Sequence, residues 1–262
     1  MDWNARSGYH GFSLGNAGVA AGVTRKIGAR SHLGAAFGYD YARLEMNGIR
    51  QRDDMNAVQF ALYGGYNTKR QFIDYQLGYG KTFHDPRRRV DAFAETLTAG
   101  YDDNILSLSA RYGHRYGPFL PSVGAELIQV WTPGFTESGG AAALSATKSD
   151  YTSLELPIGF RLTKTFTSRE LRSRNIALTP ELRTFWVPQV GDTSSQVITS
   201  FTSGGPSFLA TSGDFGWQHT QLGTGFTARL NRHWSTSANY DAAFYTGNQT
   251  LQGASVGVTA RF

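Results

Sequence analysis

Eleven stretches of this chain place apolar residues at every second position, and that period, repeated so often, is hard to reconcile with anything but a large antiparallel sheet. They run over residues 17–27, 32–45, 56–67, 71–84, 104–115, 119–131, 151–164, 175–188, 217–230, 233–245 and 250–262. In 151–164, Leu154, Leu156, Ile158, Phe160 and Leu162 oppose Ser153, Glu155, Gly159, Arg161 and Thr163. In the last stretch Ala254, Val256, Val258, Ala260 and Phe262 oppose Ser255, Gly257, Thr259 and Arg261, and the sequence ends on an aromatic. A strand turns successive side chains to opposite faces, so each stretch has one oily face and one small or polar face. Oily side out and polar side in is the pattern a closed barrel needs in a lipid bilayer.

Composition agrees with that pattern. Only 40% of the 262 residues are apolar, as expected where every second residue meets lipid. No run approaches the length of a membrane-spanning helix. The 31 Gly, 17 Phe and 13 Tyr suit strands with aromatic rims and a crowded interior. There is no Cys, which excludes disulfides, thiolate metal sites and a thiol nucleophile. The net charge of +5 is spread along the chain, which argues against a nucleic-acid patch. Met1-Asp2-Trp3-Asn4 opens no basic-then-apolar leader, so an exported protein would be represented here by its mature part.

The connections at 28–31, 67–70, 115–118, 165–173 and 231–232 are mostly tight, and those at 46–55, 84–103, 133–149 and 189–216 mostly longer. The two kinds alternate, as they do when one barrel end faces the periplasm and the other the outside. The clear strand 17–27 and the last strand both run towards the short-turn end. An even strand number then requires one more strand before residue 17, with residues 2–12 as its remnant. The expectation is an all-β transmembrane antiparallel barrel of twelve strands, eleven of them clear, forming one domain over 1–262 with 1–16 as partial first strand or linker. Helical periodicity is weak, with 45–50 and 170–174 the only stretches that could support a turn of helix.

The face opposite the oily one carries Asp40, Asp74, Arg111, Glu126, Glu155, Arg161, Glu181, Arg183, Arg229 and Asp241. On the lipid face at mid-depth each charge would cost roughly 2–4 kcal/mol, so these side chains belong to the lumen. There they either line a polar path for an extended polypeptide or pair with one another as filling. Gly159 and Gly223 to Gly225 add width, with Gly225 on the path itself. Trp131, Trp186, Trp234, Phe244 and Tyr245 sit near strand ends, where an interfacial belt would lie. Arg87, Arg88 and Arg89 follow Asp85-Pro86; they read as a solvated loop run rather than a lipopolysaccharide phosphate site. The six His are scattered without metal-ligand spacing, and no catalytic elbow, phosphate loop or zinc motif occurs, so no enzyme, cofactor or metal is expected.

Several short motifs resemble the β-domain of classical autotransporters, the type V secretion proteins. They include Leu33-Gly34-Ala35-Ala36-Phe37-Gly38-Tyr39, Leu62-Tyr63-Gly64-Gly65-Tyr66, Arg87-Arg88-Arg89-Val90, Gly134-Phe135-Thr136-Glu137-Ser138-Gly139 and Pro180-Glu181-Leu182-Arg183 with Trp186 beyond it. The long segment with Phe201 and Phe208, the stretch Gly223 to Leu230 and the terminal Phe262 follow in the same order. The resemblance covers residues 11–262 and implies a twelve-stranded outer-membrane translocator whose lumen holds a helix joined to a secreted N-terminal passenger. No such helix is present here, and the first strand is missing or curtailed. The resemblance further implies the passenger, the barrel-assembly machinery and outer-membrane lipids including lipopolysaccharide as partners. It makes Val258, Ala260 and Phe262 an assembly signal. A passive porin-like channel and an outer-membrane barrel enzyme are the competing readings.

Overall fold

The computed structural model describes residues 2–3, 10–167 and 176–261. Its strands are β1 (Asp2–Trp3), β2 (Phe12–Ile27), β3 (Ser31–Met46), β4 (Gln51–Asn67), β5 (Gln71–Val90), β6 (Tyr101–His114) and β7 (Phe119–Thr132). Then come β8 (Ser149–Glu155, resumed at Ile158–Thr163), β9 (Ala177–Gly191), β10 (Gln218–Arg229), β11 (Trp234–Tyr245) and β12 (Gln249–Ala260). Each long strand pairs antiparallel with its sequence neighbours, and β1 pairs with both β2 and β12, so the sheet closes on itself. Closure removes the free edges that lipid would otherwise punish.

Eleven long strands plus β1 meet the expectation of twelve, with adjusted bounds. The first long strand starts at Phe12 rather than at residue 17. Pro157 interrupts β8 because it has no N–H to donate, yet the register is unchanged across it. Leu154 faces Leu127 before it and Ile158 faces Val123 after it. Residues 46–55 and 84–90 are mostly paired strand rather than loop, since β3, β4 and β5 run on together past the other strands. The stretch 45–50 holds a turn, not a helix, while a single 3₁₀ turn stands at Asp91–Phe93; 170–174 and Phe262 lie outside the described residues.

At one end the strands are joined by tight turns, such as 28–30, where Gly28 takes φ 71°. At the other end, segments 133–148 and 192–217 build a small sheet of their own. Its order is Phe208–Thr211, Gln196–Phe201, Leu144–Ala146 and Phe135–Thr136. Arg88 grips Glu137 with two bonds of 2.5 and 3.1 Å, and the Glu95 carboxylate accepts the Ala141 and Ala142 N–H groups at 2.9 and 3.0 Å. Leu97, Ala142 and Ala143 are buried against one another beneath. These contacts fasten the loop sheet to the β5–β6 connection.

The barrel is apolar outside and polar inside. One row of paired residues on the outer face, climbing from the short-turn end of β2 to the long-loop end of β9, reads Val23, Ala35, Leu62, Leu77, Leu108, Leu127, Leu154 and Val190. Tyr66, Tyr112, Phe119 and Trp234 flank this face at the short-turn end, and Tyr79, Phe83, Trp131, Trp186 and Phe244 at the long-loop end, all of them exposed. Belts of this kind mark the two membrane interfaces. From Tyr66 to Asn56 and from Trp234 to Phe244 the separation is about ten residues, one tilted crossing.

Leu77→Arg should destabilise the folded barrel by about 2–4 kcal/mol, whereas Gln59→Arg, inward-facing and beside Asp40, should cost well under half of that. Urea unfolding in lipid vesicles measures both. Equal costs would contradict the assignment of faces.

Candidate functional site

Parity sends every second side chain of each strand into the lumen, and the wall they make differs from side to side. Across β2 to β6 many inward residues are small, with Gly18, Ala20, Ala36, Gly38, Ala61, Gly78, Gly80 and Ser107 beside Asp40, Gln59, Gln76 and Thr82 along a cavity of about 740 Å³. Two of these glycines could take a Cβ at ordinary contact distance. A Cβ at Gly38 would meet nothing nearer than 3.7 Å, and one at Gly80 nothing nearer than 3.5 Å. Gly225 and Gly159 are different. A Cβ at Gly225 would stand 2.8 Å from the Ala238 carbonyl oxygen and closer still to the Asn239 side chain. One at Gly159 would run into the Thr184 carbonyl. Those two positions are small because neighbouring strands approach closely.

The charges foreseen in the sequence all lie on inward positions: Asp40 borders the small-residue cavity itself, Asp74 and Arg111 stand nearer the short-turn end of β5 and β6, and the rest lie on β7 to β11. Asp74 stands directly across from Arg111, and with Glu126 and Pro157 they line a second cavity of about 360 Å³. The Arg111 guanidinium lies 4.6 Å from the centre of the Phe185 ring, and that of Arg161 5.4 Å from the Phe72 ring. Arg183 gathers Glu181 at 2.5 Å and Asp241 at 2.8 and 3.1 Å. Two like-charged pairs face each other across strands, Glu126 with Glu155 and Arg161 with Arg183. Arg229 ends β10 opposite Ala177 and Ser235, apart from this group. The charges therefore form a mixed wall in which cations lie over aromatic faces or between carboxylates. Phe72 and Phe185 were not singled out in the sequence, although their parity, opposite to Ile73 and Trp186, marks them as inward. On β12, Val258 and Ala260 face outward opposite Thr236 and Trp234. Among the described residues no three His, Asp or Glu side chains come together as a metal site would require.

The model of the Autotransporter beta-domain family matches residues 1–241. The chain belongs to that family. Its fold is similar to the translocator domain of the autotransporter NalP from Neisseria meningitidis, at 16% identity and a TM-score of 0.74, covering 100% of this chain and 84% of that one. The β-domain of the Bordetella autotransporter BrkA is similar at 14% identity and a TM-score of 0.68, covering 97% and 92%. The transport unit of AIDA-I from Escherichia coli follows at 11% and 0.66, covering 100% and 87%. No curated protein matches. The autotransporter β-domain is an outer-membrane translocator barrel, a transport unit; the porin-like and enzymatic readings are not favoured.

Beyond the long-loop belt this β-domain holds a group that its sequence did not disclose. His84 points inward, 10% exposed, with Nδ1 2.6 Å from Asp53 Oδ2. Its Nε2 lies 3.2 Å from Asp103 Oδ2, an ion pair too bent for a hydrogen bond. The imidazole stacks on Tyr101 at 4.5 Å, and Tyr101 stacks on Phe135 of the loop sheet at 4.5 Å. Three residues far apart in sequence meet here only because β4, β5 and β6 extend beyond the membrane. Burial opposes the charge on His84, but Asp103 and Asp53 outweigh it and raise its pKa to about 9. A raised folded pKa means the stabilisation is complete below about pH 6.5 and is lost as pH rises through about 9.

NMR titration of the His84 ring in detergent-folded protein should give a midpoint near pH 9 and a lower one in Asp103→Asn. A midpoint at or below 6.5 would show that the carboxylates do not hold the charge.

Proposed function

We propose that residues 1–262 act as one translocator unit whose lumen carries the protein's own N-terminal passenger across the outer membrane. The passenger passes as an extended hairpin along the small-residue wall of β2 to β6. The observation that carries this reading is the 740 Å³ cavity bordered by Gly38 and Gly80, the side of the lumen with room for backbone. The charged lining supports it. Cations already held over aromatic rings or by carboxylates offer a sliding chain few strong partners. The inward residues Asp74, Arg111, Glu126, Glu155, Arg161, Glu181, Arg183 and Asp241 accordingly form the polar side of the path, with Arg229 near its short-turn end. Gly225 widens the path less than it permits close strand contact.

The remaining partners follow from the same reading. The long-loop end, with its own small sheet, faces the outside and contacts outer-leaflet lipids including lipopolysaccharide. Val258, Ala260 and Phe262 present alternate apolar residues that the barrel-assembly machinery reads, so deleting Phe262 lowers the amount of barrel in the outer membrane. The β-domain does this work without catalysis.

Gly38→Trp, in a chain bearing a passenger, should reduce surface passenger severalfold while the barrel keeps its heat-modifiable gel mobility. Gly225→Trp should lose both, because its first side-chain atom already meets the Ala238 backbone. Normal secretion through Gly38→Trp would defeat the conduit reading of that wall.

A further inference from the structure

The arginine run 87–89 is not a loop. It lies in β5, so its side chains alternate: Arg88 turns inward to Glu137, while Arg87 and Arg89 share the outward parity of Tyr79 and Phe83. They stand just beyond the long-loop belt, where β3, β4 and β5 project together. Arg52 of β4 faces Arg87 directly across the ladder, and Arg50 sits in the turn before it. These four arginines, with Met46 and Ile49 from the end of the β3–β4 hairpin, line a groove of about 360 Å³ in which Glu45 is the one carboxylate.

We propose that this groove binds a phosphorylated glycolipid headgroup of the outer leaflet. Three observations converge on it. The first is place: the groove opens on the lipid-facing side of the strands, beyond the Tyr41 and Phe83 belt and the row of Arg43, Asp54 and Asp85 that follows it. This step rests on the reading that the long-loop end faces the outside. The second is strain. Like charges directly opposite in a sheet are destabilising, and the Arg52–Arg87 pair is relieved only from one side, by Asp54 and Asp85 in the row below, so an anion bridging it from the other side would relieve it further. The third is donor capacity. Arg89 and Arg50 share Asp91 at 2.8 and 3.5 Å, Arg52 reaches Asp54 at 3.4 Å, and Arg87 reaches Asp85 at 2.9 Å. One carboxylate contact each leaves most of the five N–H donors of every guanidinium free, and the side chains are 42–69% exposed. Such exposed pairs contribute little stability, but they hold the forks in place for phosphate oxygens.

The test uses the full chain folded in detergent, with bisphosphorylated lipid A, the same lipid stripped of phosphate, and inorganic phosphate as probes. Native mass spectrometry reads bound lipid, and heat-modifiable mobility reports folding. Bisphosphorylated lipid A should bind at least tenfold more tightly than the stripped form. Arg52→Gln/Arg89→Gln should lose roughly that factor, and Arg232→Gln at the short-turn end should not. If the double variant fails to fold, Arg50→Gln, outside the ladder, should still weaken binding severalfold. Undiminished binding by folded variants would overturn the groove alone, leaving lipid contact elsewhere. Inorganic phosphate competing as well as the lipid would make the site one for free phosphate and overturn the lipid assignment. A parent indifferent to lipid phosphate would overturn the lipid partnership itself.

Discussion

In lipid, each backbone N–H and C=O must find its partner within the protein, and a sheet meets that demand only by closing. From closure follow the even strand count, the antiparallel neighbours and the pairing of β1 with both β2 and β12. Closure also separates the two faces absolutely. With no edge to turn around, a side chain is either in lipid or in the lumen, and parity along the strand decides which. The leucine band from Leu62 to Leu154 and the inward charges from Asp74 to Asp241 are two consequences of one constraint.

The lumen that results is asymmetric, and the asymmetry has a physical use. Small residues on β2 to β6 border a cavity, while Arg111 on β6, Arg161 on β8 and Arg183 on β9 are held over rings or between carboxylates. A lining whose cations are already engaged is wet but weakly adhesive to carboxylates. A cavity beside it admits a backbone. Together they suit a conduit for polypeptide better than a binding pocket for a particular small ligand.

Alternation was legible wherever lipid lies against one face, as in 71–83 and 250–260. It persisted even through Pro157, where only a donor is lost. It failed where lipid ends. Above the belt both faces of β3, β4 and β5 are wet, so Arg52, Asp54 and Asp85 carry no apolar period although the ladder continues beneath them. Those residues therefore resemble loop. The same wetting hid the His84 group, whose members are separated by 31 and 19 residues and meet only through the extended strands. The loop sheet escaped notice because its strands are two to six residues long, too short for a period to register. Glycine was ambiguous for another reason: Gly38 and Gly225 look alike in sequence, and only the neighbouring backbone distinguishes room from close contact.

Photocrosslinking during secretion tests the conduit most directly. A crosslinking residue placed at inward Ala61 or Gly38, in a passenger-bearing chain caught in transit, should capture the passenger. The same residue at outward Phe60 or Phe37, one position away, should capture lipid. Passenger captured equally from both faces, or from neither, would contradict passage through this lumen.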